Sequence, residues 1–111
     1  MKTIVDIDAG ICGFKTRSVV TSENGQNVIF EVQSDCEKIR RIGEELKTKN
    51  EIDAYEEISA SGESILLNTT RNVLTGCCAG CAVPAGLFKA MQVTAGLALP
   101  KDITIILTKS E

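Results

Sequence analysis

Three thiols fall within five residues in Gly76-Cys77-Cys78-Ala79-Gly80-Cys81-Ala82-Val83-Pro84, and two further cysteines, Cys12 and Cys36, stand alone earlier in the chain. Cysteine is a good small core residue, so any one of these could be plain packing. Their settings argue for more. Cys12 lies between Gly10 and Gly13, Cys36 sits at what reads as a helix start, and Cys81 comes just before a proline suited to the first turn of a helix. Unpaired amides and the helix dipole at such positions favour a thiolate, the form that binds metals and attacks electrophiles. Candidate ligands are therefore Cys12, Cys36 and Cys81, with Cys77 or Cys78 as an optional fourth.

Cys78-Ala79-Gly80-Cys81 has Cys-x-x-Cys spacing, which either holds one metal ion or closes a redox disulfide. The chain contains no histidine. A zinc or iron-sulfur site would thus need four thiolates, or three with a carboxylate such as Asp8 or Asp35 or an exchangeable ligand. Ordinary cysteine-hydrolase chemistry lacks its usual base. Asp6 with Asp8, and Glu56 with Glu57, read as solvated surface acids.

The elements that must position these residues follow from patterning. Thr3 to Asp8 alternates like a strand, and the glycines around Cys12 break it. Phe14 to Thr21 and Val28 to Val32 flank Asn24-Gly25, the dipeptide of a tight hairpin turn. Ser34-Asp35-Cys36-Glu37 fits a capping box opening a helix to about Lys47, with Ile39, Ile42, Gly43 and Leu46 inward and Lys38, Arg40, Arg41, Glu44, Glu45 and Lys47 in solvent. Ile52, Tyr55 and Ile58 would line a short helix, Ser59 to Gly62 a loop, and Ser64 to Leu74 another helix despite poor propensity at Asn68-Thr69-Thr70. From Pro84, Leu87, Phe88, Met91 and Ala95 recur at helical spacing, with Gly96 as the stop. Ile103 to Leu107 is a β-branched run expected to form a final buried strand. The expected fold is α+β: an antiparallel sheet with a β-hairpin and helices packed on one face.

With 111 residues, 43% apolar and 24% charged, the chain fits a single domain over residues 1–111 with its own core. A net charge of −3, no basic block and few aromatic rings exclude the footprint of a nucleic-acid binder. No segment approaches the ~20 apolar residues of a membrane span. The amino terminus lacks the apolar run of a signal peptide, which points to the cytoplasm, where thiols stay reduced.

Cys12-Gly13 before a hairpin, Cys36 at a helix start after it, and Cys81 at the start of a late helix together resemble the iron-sulfur cluster assembly scaffolds of the NifU/IscU type. The resemblance implies that these three cysteines ligate a cluster or zinc, and that partners are sulfur donors or cluster-recipient proteins. The family has an acid after Cys-Gly, where this chain has Phe14, and a ligand before the third cysteine, where it has Gly80. Cys77 or Cys78 would replace the latter. The block from Cys81 to Leu107 is also similar to small bacterial or archaeal cysteine-containing proteins, which implies no activity. Two other functions fit the same residues: a thiol redox or sulfur-transfer protein carrying a persulfide or disulfide, and an interaction module whose cysteines are only packed.

Overall fold

The structure, a computed structural model, describes residues 1–59 and 62–111. Strand β1 (Lys2–Asp8) and strand β2 (Lys15–Thr21) form one hairpin, and β2 forms a second with β3 (Asn27–Ser34). Helix α1 (Glu37–Thr48) follows, then a two-residue strand β4 (Ile52–Asp53) that pairs antiparallel with β3. The remaining elements are α2 (Ala54–Glu57), α3 (Ile65–Val73), a 3-10 turn (Gly76–Gly80) and α4 (Val83–Thr94). The sheet order is β1-β2-β3-β4, antiparallel throughout, and the fold is α+β.

Alternation along the strands decides which face is covered. Thr16, Ser18 and Val20 of β2 and Val28 and Phe30 of β3 are buried, and register places them beside Thr3, Val5 and Ile7 of β1. Helices α1 and α4 lie on this face, against β3 and β1 respectively. Both seat on glycine. A methyl added at Gly43 would stand 2.9 Å from Val32 Cβ, and one at Gly86 would stand 2.5 Å from Ile7 Cδ1. The core between the layers joins Ile39, Ile42 and Leu46 of α1 to Leu66, Leu87 and Met91. The opposite sheet face is open, with Ile4, Arg17, Ile29 and Glu31 outward.

The hairpin around Asn24-Gly25 forms as expected, but through a five-residue connection between Thr21 and Asn27 rather than a tight two-residue turn. Asn24 Oδ1 accepts the amides of Gln26 and Asn27, each at 2.9 Å, while Gly25 takes φ 76°. At the start of α1 the capping box does not form. Cys36 itself is the N-cap and makes no side-chain cap bond, whereas Ser34 Oγ accepts the Cys36 amide at 3.1 Å and bonds Thr16 Oγ1 at 2.7 Å. The Ser34 hydroxyl is held by the sheet, two residues too early to reach the first helical turn.

Ile52 is not on a helix: it is a buried strand residue, and the short helix after it is capped by Asp53, whose Oδ1 accepts the amides of Tyr55 and Glu56. The expected loop at Ser59 to Gly62 lies partly outside the described residues. Ser64 caps α3 through the Leu67 amide at 2.9 Å, which offsets the weak propensity downstream. Helix α4 ends in a Schellman turn, with Gly96 at φ 73°, its amide on Val93 O at 3.1 Å, and the Leu97 amide on Gln92 O at 2.8 Å.

The expected last strand is overturned. Residues 99–111 form neither helix nor strand, and Ile103, Ile105, Ile106 and Leu107 are all exposed, Leu107 at 91%. Propensity suited these residues to a sheet, but among the described residues they pair with no strand.

Candidate functional site

Topology brings all five cysteines to one end of the domain. Cys12 is in the β1–β2 turn, between Gly10 (φ 94°) and Gly13 (φ 75°), with the Gly13 amide on Gly10 O at 2.9 Å. Cys36 joins β3 to α1 at the same end, since Ser34 pairs across to Thr16 at the start of β2. The start of α4 is there too, because Gly86 lies over Ile7 near the end of β1. Cys77 and Cys78 are in the 3-10 turn just ahead of α4, and Cys81 follows that turn, its amide on Cys78 O at 3.1 Å.

All five are free thiols, but they are not equivalent. Cys36, Cys78 and Cys81 are half-buried and packed against the hydrophobic core, so the fold holds them in place. Cys12 and Cys77 are exposed. Among the described residues, no group of three or more histidine, cysteine, aspartate or glutamate side chains is arranged to hold a metal ion.

One contact reaches the half-buried set from a distant part of the chain. Lys38 Nζ, from the first turn of α1, donates to Cys78 Sγ at 3.4 Å. It connects positions 40 apart in sequence and brings an ammonium to a sulfur. Sequence reasoning put Lys38 on the wet face of α1, and it is indeed at the surface; what the sequence had no means to signal is that the loop before α4 folds back to meet it. Cations beside sulfur are the setting in which cysteines act as nucleophiles or ligands.

Of the acids singled out in the sequence, Asp6 and Asp8 serve other partners. Asp6 receives both Arg17 Nε at 2.7 Å and Arg17 Nη2 at 3.0 Å, and this bidentate bond holds its carboxyl below the ordinary carboxylate range. Asp8 Oδ1 accepts the Gly10 amide at 3.1 Å, bracing the turn that presents Cys12. These residues, with Lys15, Gln33 and Asp35, line an open depression of about 630 Å³ at the edge of the uncovered sheet face. Glu57 departs from the surface role expected of it: it is buried, and its carboxyl oxygens accept Ser64 Oγ at 2.9 Å and the Ile65 and Leu66 amides at 2.7 Å.

The family model that matches the chain spans residues 3–107, from β1 through the cysteine loop to the exposed carboxy-terminal segment. The chain belongs to the family of unknown function DUF6951. No curated protein and no solved structure matches it. Membership in DUF6951 therefore assigns no chemistry, and a functional reading has to come from the thiols themselves. No helix among the described residues is long and apolar enough to cross a membrane.

Proposed function

We propose that this end of the domain is a thiol-exchange site, which takes up a sulfur or a disulfide from a partner protein at Cys78 and passes it on. The supporting observation is the Lys38 ammonium at 3.4 Å from Cys78 Sγ, where it meets the negative charge carried by an attacking or leaving sulfur. Cys81, one 3-10 turn away, is the resolving thiol. In the exchange, Cys78 sulfur attacks the disulfide of a partner, forms a mixed disulfide and expels the partner's other sulfur as a thiolate. Cys81 then attacks the Cys78 sulfur and releases the second partner thiolate, leaving a Cys78–Cys81 disulfide and a reduced partner. With a persulfide donor, Cys78 instead takes the outer sulfur and the donor leaves as a thiolate. A reducing cytoplasm with a sulfur donor and an acceptor protein suits either cycle.

The test is site-resolved alkylation with iodoacetamide, read by mass spectrometry of peptides, together with the intact mass of untreated protein. Cys78 should react faster than the exposed Cys77, Lys38→Ala should slow it about tenfold without slowing Cys77, and a persulfide-charged fraction should carry one extra sulfur. A Cys78 that is inert, or indifferent to Lys38, ends this reading.

The placement of all five cysteines at one end favours a second reading, a metal or iron-sulfur scaffold of NifU/IscU type using Cys12, Cys36 and Cys81 with Cys77 or Cys78. The present donor set does not fit a closed tetrahedral site, since no three ligands converge among the described residues. Stoichiometric iron or zinc in anaerobically purified protein, lost in Cys81→Ala, would establish this reading in place of thiol exchange.

A further inference from the structure

The molecule carries an unpaired strand-forming segment and an unpaired strand edge of equal length. The segment is Ile103 to Lys109, which includes four exposed large apolar residues, Ile103, Ile105, Ile106 and Leu107, on a chain that has left the core. The edge is the outer side of β1, Lys2–Asp8, since β1 is the first strand of the sheet and pairs only with β2 among the described residues. Its inward residues, Thr3, Val5 and Ile7, are only half-buried beneath α4. Edges of this kind are templates for another strand.

We infer that residues 103–109 add as a fifth strand to the β1 edge of a second copy of this chain, reciprocally, giving a strand-exchanged dimer. Patterning and charge select the pairing. In a parallel register with Ile103 beside Thr3, Ile105 meets Val5 and Leu107 meets Ile7, all on the helix-covered face, while Thr104, Ile106 and Thr108 turn outward with Ile4. The same register sets Asp102 beside Lys2, both on the outward face, an opposite-charge pair at the start of the strand. The antiparallel register that buries the same three residues places Asp102 against Asp8, a like-charge pair. The family match extends to Leu107, so the apolar part of the segment, Ile103 to Leu107, belongs to the domain shared by the family.

Sedimentation equilibrium of the full chain over a range of concentrations, with hydrogen exchange of the backbone amides, tests this. The expected result is a dimer whose amides at 103–108 and along β1 are protected in proportion to the dimer fraction. Ile105→Asp removes one buried side chain from each exchanged strand and should weaken dimerisation about ten- to hundredfold, yet leave the thermal unfolding of the dilute monomer unchanged, because Ile105 is exposed there. Asp102→Lys should weaken the dimer and Asp102→Lys with Lys2→Asp should restore it. A monomer at all concentrations overturns the inference, as does a monomer with protected 103–108 amides, which would place the strand on its own β1. A dimer indifferent to Ile105→Asp overturns it as well.

Discussion

The side chain of Glu57 supplies the partners that the first turn of α3 cannot find within its own helix. It satisfies the amides of Ile65 and Leu66 and the hydroxyl of the capping Ser64 from a buried position. Glu57→Ala would leave those amides buried without acceptors, and is expected to lower unfolding free energy by about 2–3 kcal/mol in a urea titration, whereas Glu56→Ala should do almost nothing. Sequence gave no hint of the difference, because two adjacent glutamates look alike until the chain decides which of them turns inward. Lys38 presents the same problem in reverse: its solvent-facing position was legible from helical periodicity, its sulfur partner 40 residues away was not. Cys36 and Cys81 were readable as helix-start residues, because a helix start is announced by its neighbours in sequence. Whether thiols meet is settled by tertiary packing, which local patterns do not encode.

At the level of elements, the two helices that form the covering layer are each held close to the sheet by a residue without a side chain. Gly43→Ala should gain about 1 kcal/mol of helix propensity and still be net destabilising, because Val32 Cβ, 2.9 Å away, is fixed to the backbone and cannot turn aside. Gly86→Ala meets the flexible end of Ile7 first, and its cost is expected to be smaller. Thermal midpoints of the two variants, compared directly, check the order. Asp53 offers a separate handle on α2 and β4. Its carboxyl is held below the ordinary 3.8 chiefly by the side chain of Gln26, assisted by the amides of Glu56 and Tyr55. A carboxyl depressed in the folded state contributes stability that is present above its unfolded value and is lost as pH falls through its folded one. Thermal midpoints followed from about pH 5 to about pH 2 should therefore fall less steeply in Asp53→Asn than in the parent protein. The hairpin at Asn24-Gly25, the inward face of α1 and the stop at Gly96 were all evident in the sequence, since turn chemistry and periodicity act over a few residues. The two-residue β4 was not, for a pattern that short has no period to detect.

For the whole molecule, the decisive departure from expectation is the carboxy-terminal run, whose composition demands a strand and which pairs with none among the described residues. A β-branched sequence records that a segment wants a sheet and is silent on which sheet. If a second copy supplies it, stability becomes a function of concentration: the thermal midpoint should rise as protein concentration is increased, and Ile105→Asp should remove that dependence. The five cysteines lie at the far end of β1 from the Gly96 turn where this segment departs, but an exchanged strand would run the length of β1 and end beside Asp8, so alkylation at low and high protein concentration should differ most at Cys12, in the turn that follows Asp8.

A last consequence concerns how the thiol end accommodates a bound group. Helix α1 bears Lys38 in its opening turn and rests on Val32 at Gly43, one and a half turns further along. Close packing of Gly43 on Val32 opposes sliding or tilting of the rod away from the sulfur. An adduct on Cys78 must therefore be admitted by a swing of the lysine's methylene stem, a hinge of one side chain rather than of the backbone. Amide spectra of the modified protein would then differ around residues 37–39 and 77–81 and match elsewhere along α1.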